Sequence, residues 1–203
     1  MNITVGIELN GVIRNINKQI LKYYIKDIDM SLDIDEIDDK DDPFKYAKFD
    51  SRKERNEFVY ADYPYEIFGC AKTMEKDLAP YMTKWLYELT NYEDNNVELK
   101  FFSMDEEALT IQSSFFFLSK IGTRVREVTF PTDYESIREK YDVIITANPS
   151  TVEYFKGKGV YIILINSTVN QECKEIANES HDSIKELMED NEVWARVAEE
   201  LSK

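Results

Sequence analysis

The chain has 203 residues, 43% of them hydrophobic and 13% aromatic, which supports one large domain with a real core and excludes global disorder. Against 25 Lys and Arg stand 40 Asp and Glu, a formal net charge of -15, so the surface repels phosphate backbones and anionic lipid and argues against nucleic acid or a membrane as partner. Cys70 and Cys173 allow one disulfide at most, no apolar run nears the roughly 20 residues of a membrane span, and MNITVGIELNG lacks the basic start of a signal peptide. The expectation is a soluble, cytoplasmic protein.

In chain order, residues 3–9 form an apolar, β-branched run that reads as a strand. Ile13, Ile16, Ile20 and Tyr24 then recur at helical spacing. Residues 27–42 read DIDMSLDIDEIDDKDD, nine carboxylates with one Lys. A calcium loop of the EF-hand type needs Gly at its sixth place and Glu at its twelfth, and counted from Asp33 those places hold Asp38 and Phe44, so a solvated acidic loop is expected. The segment FVYADYPYEIF follows, with Tyr60, Tyr63, Tyr65 and Phe68. Leu78, Met82, Trp85, Leu86 and Leu89 make a second helical stripe. Residues 97–102 read as a strand, 105–120 as a helix carrying Phe115, Phe116 and Phe117, and 126–130, 143–146 and 160–165 as further strands. A last helix is predicted from Ser183, with Glu186 completing a capping box and apolar residues running to Leu201.

The later strands are nearly continuous in apolar character, the pattern of strands covered on both faces, and strand and helix alternate. The fold class expected is therefore α/β, a doubly wound parallel sheet, with residues 1–26 and 92–203 as core and 27–91 as an insertion after the first strand.

The first strand ends in Gly6-Ile7-Glu8-Leu9-Asn10-Gly11-Val12-Ile13, which resembles the first motif of the haloacid dehalogenase-like superfamily, Asp-x-Asp-Gly-Val/Thr after an apolar strand. Phe101-Phe102-Ser103 falls where that family has a small hydroxyl residue, and the strand Asp142-Val143-Ile144-Ile145-Thr146-Ala147-Asn148-Pro149 looks like its fourth motif, which closes on two acids. The position and length of the insertion, with Tyr63-Pro64-Tyr65-Glu66-Ile67-Phe68 ahead of a helix, look most like the 5'-nucleotidase branch. The resemblance implies a Rossmann-like core, a small cap at the 27–91 insertion, a phosphoaspartate intermediate, a second Asp as acid/base and a Mg²⁺ site completed by the fourth-motif acids.

The motif-equivalent positions here are Glu8, Asn10, Ser103, Ala147 and Asn148. Asn10 has no proton to give, and general acid/base catalysis typically supplies about 10²–10⁴-fold. Ala147 has no ligand atom and Asn148 only a neutral carbonyl, whereas Mg²⁺ wants charged oxygens. The third-motif Lys has no clear match, because Pro131-Thr132-Asp133-Tyr134 stands where the family places it and Lys120 and Lys140 are the nearest lysines. These losses give the leading expectation of a catalytically inactive, protein-binding or structural component with no cofactor and no metal site. An Ile-, Lys-, Asn-, Asp- and Tyr-rich composition suggests an AT-rich genome such as a phage's, and with it a virion-associated role. Glu8, Asn10, Ser103 and Asn148 are then candidates for residual ligand binding, and Tyr60, Tyr63, Tyr65 and Phe68 for an interface with another protein. The alternatives are a Mg²⁺-dependent 5'-nucleotidase or phosphatase with an atypical site, and a phosphate or nucleotide sensor.

His181 has no nucleophile-elbow motif to serve and reads as a helix-entry residue. Cys70 reads as an inert thiol, and Lys156-Gly157-Lys158-Gly159 as a helix end and turn rather than a phosphate loop.

Overall fold

A computed structural model describes residues 2–38, 40–90, 96–104 and 107–203. Six strands form one wholly parallel sheet: β1 (Asn2–Glu8), β4 (Asn96–Phe102), β5 (Val128–Thr129), β6 (Val143–Thr146), β7 (Tyr161–Ile165) and β8 (Glu179–His181). Their spatial order is β5-β4-β1-β6-β7-β8. The chain leaves β1, builds outward through β4 and β5, then returns to the other side of β1 for β6, β7 and β8. The order therefore reverses at β1, and the crevice at the carboxyl ends of β1, β4 and β6 is the switch point of the sheet.

Apolar residues on both sides of the pleat give β6, β7 and most of β1 two buried faces. Ile3, Val5, Ile7, Ile145 and Ile163 face one cluster, which α3 (Leu78–Thr90), α7 (Ile184–Glu189) and α8 (Val193–Leu201) close with Met82, Trp85, Leu187 and Trp194. Ile144, Ile162 and Leu164 face the other, with Ile137 of α5 (Tyr134–Arg138) and Phe155 of α6 (Pro149–Phe155). A third cluster lies apart from the sheet. It joins Ile20, Leu21 and Tyr24 of α1 (Ile16–Asp27) to Phe58, Val59, Ile67 and Phe68, which lie beyond α2 (Arg52–Glu57) on two π-helical turns. A short antiparallel pair, β2 (Arg14–Asn15) with β3 (Lys72–Thr73), ties the two ends of that segment together.

The doubly wound parallel sheet expected from the sequence is observed, and no helix among the described residues is long and apolar enough to cross a membrane. Three local expectations change. Residues 126–130 shrink to the two-residue β5, because that edge strand pairs only through Val128 and Thr129. A sixth strand, β8, places His181 at the sheet edge rather than at a helix entry. The last helix is two, since Asp190 turns its carboxylate onto the Glu192 amide at 2.9 Å and onto Arg196, ending α7 and starting α8. Ser183 caps α7 as expected, accepting from the Glu186 amide at 3.0 Å. The expected boundary at 91/92 and the expected helix start at 105 lie outside the described residues; helix α4 spans Ala108–Ile121.

Candidate functional site

A cavity of about 310 Å³ opens at the switch point, with Glu8, Asn10, Ala147, Asn148, Lys40 and Tyr60 in its wall. Parallel strands bring these residues together: Ile7 registers with Ile145, so the tip of β1 lies beside the tip of β6. Glu8 is 3% exposed. The hydroxyl of Thr146 donates to its Oε2, that of Thr151 reaches the same oxygen at 3.3 Å, and Asn148 Nδ2 lies 3.4 Å from Oε1. Thr146 is itself held by the Asn148 amide, which donates to its Oγ1 at 2.9 Å. Asn148 Oδ1 caps α6 by accepting from the Ser150 amide at 3.0 Å. Burial raises the Tyr134 phenol above its ordinary value, and the negative charge of Glu8 pushes it the same way.

The other wall is a tight turn. Leu9 O accepts from both the Ile13 and Arg14 amides, at 3.0 and 2.8 Å, and Gly11 adopts φ +78°, a left-handed conformation that favours glycine. A Cβ on Gly11 would also meet Ala147 Cβ at 3.1 Å, so the small residue at 147 makes room for the turn. The turn brings Arg14 back under Asn10. Its guanidinium is fully buried and donates from Nε and Nη2 to Asn10 Oδ1, at 2.9 and 2.6 Å. Nη1 donates to Ser114 Oγ at 2.6 Å and to Phe68 O at 3.3 Å, and the Phe68 and Phe117 rings lie against the guanidinium at 5.1 and 5.5 Å.

No protein-family model matches the chain, and no curated protein matches its sequence. Solved structures do. A candidate haloacid dehalogenase-like hydrolase from Burkholderia xenovorans superposes with a TM-score of 0.55 at 8% identity, over 96% of this chain and 98% of that one. A candidate haloacid dehalogenase-like hydrolase from Bacteroides fragilis gives 0.55 at 10%, over 92% and 100%. The chain has the haloacid dehalogenase-like fold. The expectation of an inactive protein-binding or structural component gives way at this point: the solved structures that share the haloacid dehalogenase-like fold with it are described as hydrolases, not as structural components.

The expectation of no cofactor is set aside on the same ground, because the resemblance ties hydrolases of the haloacid dehalogenase-like superfamily to Mg²⁺. At the tips of β1 and β6 the side chains do not fit that ion as they are turned. Asn10 Oδ1 is engaged by Arg14 and Asn148 Oδ1 by the α6 cap, and Asn148 turns its amide nitrogen toward Glu8, whereas Asn166 Oδ1 after β7, in the same wall, is buried without a hydrogen-bond partner. Mg²⁺ wants several charged oxygens, and among the described residues of this wall the carboxylate of Glu8 supplies them alone. The other possible ligand group among the described residues, Glu179, His181 and Asp190, lies at the β8 edge, where Arg196 already binds both carboxylates at 2.6–2.8 Å.

Of the residues singled out in the sequence, Glu8, Asn10, Ala147 and Asn148 meet at the cavity, while Ser103 is fully buried and not in its wall. Tyr60 lines the cavity and stacks on Phe68, which is fully buried. Tyr63 donates to Asp27, whose carboxylate pushes the phenol up to about 12, and Tyr65 is exposed against Phe116. Phe68 therefore offers no surface to a partner, while the three tyrosines are at least partly exposed. Lys120 points away from the cavity, donating to Gly69 O at 2.8 Å. Sequence reasoning missed Lys40, whose ammonium reaches over the cavity to the Asp182 carbonyl, and it missed Arg14, Thr146 and Thr151. The lone Lys in the acidic run was the available signal for the first; Arg14, read within a helix, offered none.

Proposed function

We propose that the chain is a phosphomonoester hydrolase with an atypical active site in the cavity at the tips of β1 and β6. The observation that carries this reading is Glu8: a carboxylate held by two hydroxyls and an amide, in the wall of a cavity at the switch point of the sheet. The names of the solved structures sharing the fold support it. A fixed carboxylate beside bound phosphate can act as a nucleophile. A Glu8 oxygen forms a bond to phosphorus as the ester P–O bond breaks, and the departing alkoxide takes its proton from water. Water then attacks phosphorus, releasing phosphate and a proton and returning the carboxylate. Lys40 offsets substrate charge at the cavity mouth, and Tyr60 offers a ring to the leaving group.

Hydrolysis of p-nitrophenyl phosphate and of a nucleoside monophosphate panel, with Mg²⁺ present, tests the reading. Turnover that falls to background in both Glu8→Gln and Glu8→Ala supports it. Absence of turnover in the wild type, or retention of it in both variants, overturns it. A cap insertion at residues 27–91, closing over this cavity, belongs to the same proposal; its support is the separate apolar cluster, which α1 shares, and the place of Lys40 and Tyr60 in the cavity wall, whereas α3 of that stretch packs on the sheet.

A further inference from the structure

An asparagine side chain can present either its oxygen or its nitrogen, and in this protein a buried arginine decides which. The Arg14 guanidinium offers only N–H donors, two of which converge on Asn10 Oδ1. Flipping the Asn10 amide would set N–H against N–H in a site closed by Phe68, Phe117 and Ser114, so the orientation is fixed. The amide nitrogen is the branch turned away from Arg14, on a residue that lines the cavity beside Glu8. We propose that Arg14 is a positioning residue that makes position 10 a hydrogen-bond donor to an oxyanion of the ligand, a phosphoryl oxygen, and never a proton donor.

Two physical consequences follow. The buried positive charge lies behind the donor, where low polarisability strengthens its attraction for an anion. An aspartate at position 10, the residue that the resemblance leads one to look for, would meet two charge-assisted bonds from the same guanidinium and stay ionised. It would then put a second negative charge in a wall that already holds Glu8. Asn10→Asp therefore does not restore acid catalysis while Arg14 is present.

The inference rests on the hydrolase reading only for the identity of the anion, and inorganic phosphate serves as the probe. Calorimetric titration of the wild type with phosphate is expected to show binding. Asn10→Ala and Arg14→Met should each weaken it about tenfold, the scale of one hydrogen bond to a charged group, and the double variant no further. Asn10→Asp should bind phosphate more weakly than wild type and show no acid limb in its pH–rate profile. If Arg14→Met does not fold, Arg14→Lys keeps the charge, loses the two-pronged hold and should still weaken phosphate binding. The proposal falls if the wild type binds no phosphate at millimolar concentration, if whichever Arg14 variant folds binds it as the wild type does, or if Asn10→Asp gains turnover with a new acid limb. Phosphate binding with the predicted pattern but without turnover overturns the hydrolase reading and leaves this one standing; turnover untouched by Asn10→Ala and the Arg14 variant does the reverse.

Discussion

Glu8 carries one methylene more than an aspartate, and that length takes its carboxylate to Thr146, Thr151 and Asn148, which fix both oxygens. Asn10 beside it has no titratable proton, so in the proposed hydrolysis the leaving group departs largely on its own stability. The expected outcome is a steep dependence on the leaving group: hydrolysis of aryl phosphates with acidic phenols should exceed that of alkyl phosphates by about 10²–10⁴-fold more than in an enzyme with a general acid. A series of substituted phenyl and alkyl phosphates, plotted as log kcat/KM against leaving-group acidity, measures it; a flat plot would put an acid in the site. At this scale the sequence was partly legible. Glu8, Asn10, Ala147 and Asn148 were recognisable because strand ends of a parallel sheet converge, but their partners were not. Which hydroxyl reaches Glu8 depends on the register of β1 against β6, and Arg14 returns to Asn10 only because Gly11 turns the chain.

At the scale of elements, β1 is the least tolerant of change. Gly6 lies against the Tyr141 ring, and a Cβ there would come within 2.8 Å of it. Tyr141 cannot swing aside cheaply, since it stacks on Phe102 and bonds Thr129 at 2.8 Å. Gly6→Ala should therefore destabilise the fold by about 1–3 kcal/mol, as overpacking does, measured as a lower urea midpoint with an unchanged slope. Helix α6 depends on Asn148 for its cap. Asn148→Ala should cost about 1 kcal/mol and should also leave Glu8 Oε1 without its amide neighbour, so stability and kcat fall together. The strands and the two long helical stripes were readable because both-face burial and 3.6-residue spacing are strong periodic signals. β8 was not: three residues at a sheet edge, ending in the half-charged Glu179-Ser180-His181, carry no apolar run. The break between α7 and α8 was hidden for the opposite reason, since the apolar stripe continues straight through it.

For the molecule as a whole, the -15 charge and the edge of the sheet bear on acid stability together. Burial pushes the Glu179 carboxyl up, but hydrogen bonds from Arg196 and Tyr161 outweigh it and hold the group below the ordinary range. Arg196 holds the neighbouring Asp190 down as well. A carboxyl depressed in the folded state adds stability that is complete above its unfolded value, about 4.3 for Glu, and is lost as pH falls through the folded value. Urea midpoints should fall between pH 5 and 3 more steeply in the wild type than in Glu179→Gln. Equal slopes would show that the β8 edge contributes nothing to the acid limb, which would then reflect other carboxylates and the net positive charge that builds up below the isoelectric point. The position of β1 reaches further. It is bonded along its length to β4 on one flank and through Val5, Gly6 and Ile7 to β6 on the other, so its central amides are sheltered from deuterium until the sheet itself parts. Glu8 ends that strand, and its orientation outlives every partial opening of the periphery; heat should extinguish the chemistry only when the entire sheet dissolves.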